Sequence, residues 1–330
     1  MCLWFIINIF VIYLYKMLKN LLPVFNLIEE EIYKYKFTVF VPVYNAAETI
    51  SLVFDSLNAQ TFKDFEVIII NDGSSDNSHE VINSKLPDLS FDHTYINNIV
   101  NVNKFGILFE AVEKAKGEFF IIHDSDDQCT SNALETFLRQ YNSIPSELKD
   151  KISGVTCKCK NQFGEEIGAK LPADPLYSNT FESSIKYGLS FEKWGLVKTR
   201  LLKSIKIDKF IVGKGMIPES FIWMIFAKNK FLTKYCSDVI RIYFVDNQNS
   251  LSTLKYDKKA LGMGLYAIMF MNYFYEDYLL VYPKHFIKRL VSLLMASKYL
   301  KYTFKDYYQS IDSVILKIIF SVLWPFKSFL

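Results

Sequence analysis

The sequence predicts an α/β fold, with a mainly parallel sheet in its first half and a helical extension at its C-terminal end. Three observations carry that prediction. Short β-branched and aromatic apolar runs alternate with segments of helical spacing, a rhythm that builds βαβ units with right-handed crossovers. The two runs that read as most buried both end in acid, Asp72 after one and Asp124, Asp126 and Asp127 after the other. From Tyr256 onward the chain turns helical and rich in Lys, Tyr and Leu.

Composition bounds the possibilities. The 330 residues are 51% hydrophobic and 16% aromatic, enough for a sizeable core. With 38 Lys and Arg against 35 Asp and Glu, the net charge of +3 gives no footing for a nucleic acid partner. Five scattered cysteines, with Cys157 and Cys159 on one face of a strand, come without a C-x-x-C pair or a His cluster. A zinc site is therefore not expected, and a reducing cytoplasm fits best.

Taken in order, residues 3–15 are almost all apolar but fall short of the ~20 needed to span a bilayer. They lack the basic flank and cleavage site of a signal peptide, and are either a weak anchor or an artefact upstream of a start at Met17. Phe37–Tyr44 reads as a first buried strand, and Asn45 to about Asn58 as a helix with Asn45 as its cap. Phe65–Asp72 is a second strand, closed by the polar loop Gly73–Asp76 and followed by a helix over 78–84. A weaker strand covers 93–101, and a helix over 106–116 stops at Gly117 as its glycine cap. Strand 119–123 and a helix over 131–142 follow. In the middle part, 155–160 and 239–245 read as strands and 219–228 as a helix. Residues 314–329, with Lys317, Lys327 and Trp324 among large apolar side chains, are either a helix on a bilayer surface or a terminal helix docked on the core.

The chemistry concentrates where strand 119–123 ends. A buried strand cannot carry three unpaired carboxylates into a core. Asp124, Asp126 and Asp127 must emerge at the sheet edge, where ligands bind in open α/β sheets. They are solvated or neutralised by a cation, and carboxylate oxygens suit Mg²⁺ or Mn²⁺. The bland alternative is an acidic turn in which Ser125 caps the next helix. His123, a lone strand histidine, is expected to be packed and not catalytic.

An ordered set of segments then carries a family resemblance: V-P-V-Y-N over 41–45, Q-T-F over 60–62, D-F-E-V-I-I-I-N-D-G-S-S-D over 64–76, A-K-G-E-F-F over 115–120 and D-S-D-D over 124–127. Together they resemble the family 2 glycosyltransferases. The resemblance implies a GT-A fold with a Rossmann-like nucleotide-binding domain, a nucleotide-sugar donor, a divalent metal (Mn²⁺ or Mg²⁺) and inversion at the anomeric carbon. It implies that Asp126, with Asp124 or Asp127, holds the metal, and that Asp124 and Ser125 meet the donor. Pro42, Val43, Tyr44 and Asp72 would form the base and ribose pocket, and Glu48 would line it. Tyr44 as a core aromatic, Asp72 as a turn residue and Glu48 as a helix-dipole partner are the bland alternatives.

The resemblance also implies a base at the start of a helix facing the site. Glu219 stands in that place, with Ser220 where a second acid is usual; its alternative is an N-terminal helix acid. Trp194-Gly195 with Lys198 and Arg200 resembles the segment between donor and acceptor sites, and a hydrophobic wall is the other reading of Trp194. Two departures stand out. Where many members carry a donor-contacting arginine only Lys104 is available, and the stretch 246–252 has no metal-binding histidine, leaving Asp246 or Asn249 in its place.

The expected organisation is an N-terminal segment over 1–35, a nucleotide-sugar-binding half over 36–145, an acceptor half over 146–256 and a helical extension over 257–330. The expected function is transfer of a single sugar, from a donor that is a UDP-sugar, to a surface glycan or lipid-linked acceptor at the cytoplasmic face of a membrane. A non-catalytic sugar-nucleotide-binding partner in a polysaccharide assembly complex is the alternative. A nucleotidyltransferase ranks low, because P-V-Y-N-A-A-E over 42–48 is not a glycine-rich, arginine-bearing loop.

Overall fold

A computed structural model describes residues 18–245 and 254–329. The apolar run 3–15, Met17 and the stretch 246–252 lie outside the described residues, and with them Asp246 and Asn249. Two compact units emerge, one from the described residues of Phe25–Ile205 and Ile225–Ser250, the other from those of Met1–Val24, Lys206–Met224 and Leu251–Leu330.

The first unit is built on a nine-stranded mixed sheet. Its elements are β1 (Tyr35–Val43), α1 (Ile50–Asn58), β2 (Phe65–Asp72), α2 (Ser78–Lys85), β3 (Asp92–Asn98), α3 (Asn103–Lys114), β4 (Gly117–Ile122), β5 (Gln128–Cys129), α4 (Ala133–Asn142), β6 (Ile152–Asn161), β7 (Leu176–Ser178), β8 (Lys193–Lys198) and β9 (Leu232–Tyr243). The strand order is β3-β2-β1-β4-β8-β6-β9-β5, with β7 also paired to β9. The ladders from β3 to β4 are parallel, β8 runs antiparallel to β4 and β6, and β9 returns parallel to β6.

Burial explains which strands the sequence makes plain. Every residue of β2 is buried, and every residue of β1 from Phe37 onward, as expected of parallel strands covered on both faces. β3 is mostly exposed; as an edge strand of sequence D-H-T-Y-I-N-N it has little apolar pattern to offer. Helix α1 buries Ile50, Val53, Phe54 and Leu57, the residues its spacing predicts.

Two local expectations are corrected. Asn45 does not cap α1, which begins five residues later; it takes a left-handed φ of 52°, and its side chain bridges two loops. Gly117 is not a helix cap. Helix α3 ends at Lys114 with Ala115 extended, and Gly117 opens β4 because nothing larger fits there. A Cβ at Gly117 would lie 2.3 Å from Phe37 C and 2.3 Å from Thr38 N. That closeness lets Gly117 N–H donate to Thr38 Oγ1 at 2.8 Å, and Thr38 O–H donate to the buried Glu66 Oε1 at 2.7 Å.

The second unit contributes the segment leading into α5 (Ser220–Lys228), then α6 (Tyr256–Tyr278), α7 (Pro283–Ala296), α8 (Phe304–Ser310) and α9 (Val314–Leu323). Phe270 on α6 packs against Phe286 on α7 at 5.2 Å between ring centroids. Buried Asn272 joins α6 to the α8–α9 junction, donating to Ser310 O and accepting from Asp312 N, both at 2.9 Å. Among the described residues no helix is long and apolar enough to cross a membrane.

Gly117→Ala is expected to destabilise the folded state by about 3 kcal/mol through overpacking against the β1 backbone. Urea unfolding of the two chains measures it, and a cost below about 1 kcal/mol would show that β1 and β4 can separate to admit the methyl.

Candidate active site

The parallel register, with Phe40 opposite both Ile68 and Ile122, brings the carboxyl ends of β1, β2 and β4 to one rim. Tyr44, Asp72 and the 123–127 segment therefore share an edge. The antiparallel pairing of β5 with β9 sets Arg241 opposite Cys129, so a residue distant in sequence reaches the same edge.

The rim loops are pegged to one another. Asn45 N–H donates to Ser74 Oγ at 2.9 Å, Ala46 N–H to Ser78 Oγ at 2.9 Å, and Ala47 N–H to Asp76 Oδ2 at 3.0 Å. Ser75 N–H returns a bond to Asn45 Oδ1 at 2.8 Å. Thr49 Oγ1 donates to Ser125 O at 2.8 Å, so Ser125 serves through its carbonyl. It does not cap α4, whose N-cap is Asn132.

Asp72 is buried and fastens a third loop. Its Oδ1 accepts from Val102 N–H at 2.9 Å, while Asn101 Nδ2 donates to its carbonyl at 2.9 Å. Burial raises its pKa, against the pull of the Val102 and Asn103 amides. Gly73 next to it has a φ of +68°, with Asn101 N 2.8 Å from where a Cβ would sit. Pro42 and Val43 are buried in β1, so only their backbone can face a ligand at the rim. Tyr44 is 54% exposed, which removes the core-aromatic alternative. Glu48 is exposed in the turn before α1.

The acidic cluster is balanced by two cations. Lys104, in the first turn of α3, donates from Nζ to Asp124 Oδ1. Arg241 is 4% exposed and engages both acids, with Nη2 at 2.8 Å from Asp124 Oδ2, and Nε at 2.9 Å from Asp127 Oδ2. Phe244 N–H donates to the other Asp127 oxygen at 3.1 Å. Burial raises the Asp124 carboxyl, but Lys104 and Arg241 outweigh it and hold the pKa well below the usual range. Burial pushes Asp127 up to about 6 against the attraction of Arg241, so at neutral pH Asp127 is ionised and paired. The side chain of Asp124 is 32% exposed and that of Asp127 only 1%, so of the two Asp124 is the one a ligand can reach. Asp126 is half-buried beside them.

His123 is fully buried against Trp194, 5.0 Å between ring centroids, and burial lowers its pKa to about 3. It is a packed, neutral imidazole. Trp194 is 2% exposed and its Nε1 donates to Ile122 O at 2.6 Å, so it stiffens the end of β4. Lys198 Nζ donates to Lys149 O at 2.6 Å and Arg200 pairs with Glu30, structural contacts both. Glu219 belongs to the other compact unit, half-buried directly ahead of α5, with its carbonyl accepting from Ile222 N–H at 2.9 Å.

Sequence reasoning missed Arg241. The signal was present: an arginine between two isoleucines in a strand that reads as buried must find a carboxylate. Among the described residues, no group of three or more His, Cys, Asp or Glu side chains converges where one ion could touch them all. The carboxylates among the described residues that a divalent cation could reach here are Asp124 and Asp126, with ligand and water oxygens to fill the rest of its shell, as Mg²⁺ commonly does.

Replacing Arg241 by Gln leaves buried carboxylates uncompensated and is expected to cost about 3–5 kcal/mol at pH 8. Without the arginine the Asp127 pKa rises further, so the folded state binds more protons than the unfolded chain and the cost shrinks as pH falls toward 5. Denaturation of both chains at several pH values tests this; a pH-independent difference would mean that the pairing is not what stabilises.

Residues 38–148 match the family model described as Glycosyl transferase family 2. The chain is similar to the uncharacterized glycosyltransferase YibD of Escherichia coli, 26% identical over 267 residues that cover 76% of this chain and 74% of the relative. It is also similar to the GalNAc(5)-diNAcBac-PP-undecaprenol beta-1,3-glucosyltransferase of Campylobacter jejuni, 26% identical over 231 residues, 70% of this chain and 71% of that one. Among solved structures, S. aureus TarS 1–349 in complex with UDP-GlcNAc aligns with a TM-score of 0.57 over 88% of both chains at 18% identity, a likeness of GT-A fold. Residues 38–148 thus form a domain that matches glycosyltransferase family 2, set in a chain of GT-A fold that is similar to named glycosyltransferases.

Proposed function

We propose that the chain is an inverting, metal-dependent glycosyltransferase that moves a sugar from a UDP-sugar to a hydroxyl of a surface glycan or lipid-linked acceptor, working at the cytoplasmic face of a membrane. One observation carries the reading: an exposed aromatic ring and a cation-balanced carboxylate cluster lie on one rim of a parallel sheet. That rim is where α/β sheets take nucleotides. The relatives and the UDP-GlcNAc-bound neighbour support the substrate class.

In this reading Tyr44 stacks on the base, the backbone of Pro42 and Val43 forms the pocket floor, Asp72 faces the ribose, and Glu48 and Ser125 line the edge. Asp124 and Asp126 would hold Mn²⁺ or Mg²⁺, which when bound supplies charge stabilisation for the diphosphate leaving group. Asp127, buried and doubly engaged, is assigned to holding Arg241 in place. Lys104 lies close enough to Asp124 to share the leaving group's negative charge. Glu219 takes the proton from the acceptor hydroxyl as oxygen attacks the anomeric carbon opposite the departing diphosphate. A single displacement of that kind inverts the centre and needs no enzyme nucleophile.

Because the described residues offer the ion two reachable carboxylates, Asp124 and Asp126, metal and nucleotide should bind together. Calorimetry of UDP and GDP, each with and without Mn²⁺, is expected to show tight binding of UDP only when Mn²⁺ is present. UDP binding indifferent to Mn²⁺ would remove the metal from Asp124 and Asp126, and preference for GDP would change the donor.

Glu219→Gln is expected to lower kcat by about 10²–10⁴-fold while UDP affinity stays unchanged. Normal turnover in that variant would exclude Glu219 as the base. Intact UDP binding with no transfer to any acceptor, in the unaltered chain, would favour the non-catalytic assembly partner.

A further inference from the structure

The C-terminal helices carry a charge unlike the rest of the chain. Residues 283–329 hold eight Lys or Arg against two Asp, a net of +6, whereas the whole chain carries +3. In the same stretch α9 divides its apolar residues between two faces. Leu316 and Phe320 are buried, and Phe304 packs on Phe320 and Trp324 at 5.9 and 5.4 Å between ring centroids. Opposite them Val314, Ile315, Ile318 and Val322 fall within an arc of about 100° and are between 53% and 69% exposed. Phe326 and Phe329, in the turns that follow α9, are 57% and 85% exposed. Isolated apolar residues on a surface need no explanation; a continuous stripe of this kind marks an interaction site.

The flanks of the stripe are aromatic and basic. Lys317 Nζ lies 5.2 Å from the Tyr308 ring centroid and Lys327 Nζ 3.9 Å from that of Trp324, an arrangement suited to headgroup depth. At ten residues α9 is about 15 Å long, half of the ~30 Å hydrocarbon layer, so it can lie in an interface but not cross it. A second copy of the chain would set one strongly basic segment against another, which like-charge repulsion opposes. An anionic bilayer complements both the charge and the apolar stripe.

We propose that α9 and the residues to Phe329 form a docking surface for an anionic phospholipid bilayer, with the Val314–Val322 face in the acyl–headgroup boundary and the lysines among the headgroups. The inference rests on this unit alone and stands whether or not the donor and acceptor readings hold.

The test uses the full chain and vesicles of phosphatidylcholine, with or without about 30 mol % phosphatidylglycerol. Cosedimentation is expected with the anionic vesicles and not the neutral ones, and is lost near ~1 M salt, where screening shortens to about 3 Å. The double variant I318D/V322D is expected to cut the bound fraction about tenfold or more with an unchanged thermal melt. The milder I318S/V322S should fall between. Ile318 and Val322 are both solvent-exposed, so neither variant threatens the fold. Equal binding to both vesicle types, no binding to anionic ones, or unaltered binding by the variants would overturn the proposal. So would a dimer in sedimentation velocity that I318D/V322D dissolves, since it would assign the face to a second copy.

Discussion

The site depends on one buried interaction, the guanidinium of Arg241 between Asp124 and Asp127. Three carboxylates within four residues at the end of a buried strand are untenable without compensation, and a fully buried acid needs a partner whose geometry answers its own. Arginine does this with a rigid fork of donors. It also stays protonated over the physiological range, so the positive side of the pairing does not titrate. Lys104 completes the arrangement from the other side, on a solvent-accessible stem. The asymmetry is consequential: the buried acid is fixed on both oxygens, whereas the partly exposed one faces the rim with a lysine at its side.

Around that centre the backbone is shaped by polar pegs more than by apolar packing. The loops after β1 and β2 hold each other through Asn45, Ser74, Ser75, Asp76 and Ser78, and Thr49 reaches across to Ser125. Each bond is modest alone, near 1 kcal/mol. Together they fix three loops before any ligand arrives, so less ordering cost falls on binding. The polar G-S-S-D stretch, which in isolation reads as a flexible turn, is in this setting a set of acceptors for the amides of the neighbouring loop.

Much of this was legible in the sequence, and the parts that were not have physical reasons. β1 and β2 were plain because both faces are covered, so apolar residues run without interruption. The acids at the strand ends were plain because charge cannot stay in a core. Asn45 and Gly117 were misread because each has a common local role, capping, that a tertiary demand overrode: a bridge between loops in one case, a backbone contact too close for a Cβ in the other. Arg241 was missed because its partners lie 114 and 117 residues away, and only the β5–β9 pairing joins them. Short strands such as β5 and β7, of two and three residues, carry no periodicity at all; their partners create them.

That long separation has a consequence for how the molecule is made. The acids leave the ribosome more than a hundred residues ahead of the arginine that neutralises them, an interval of roughly 6–23 s at the usual ~5–20 residues per second. Throughout it β1 to β4 can already pair, since all four strands precede the acids in the chain. Asp127 cannot yet be buried as an ion, so the carboxyl-end rim stays hydrated while the rest of that half-sheet dries. On that schedule the reactive edge cannot be sealed until β9 is delivered.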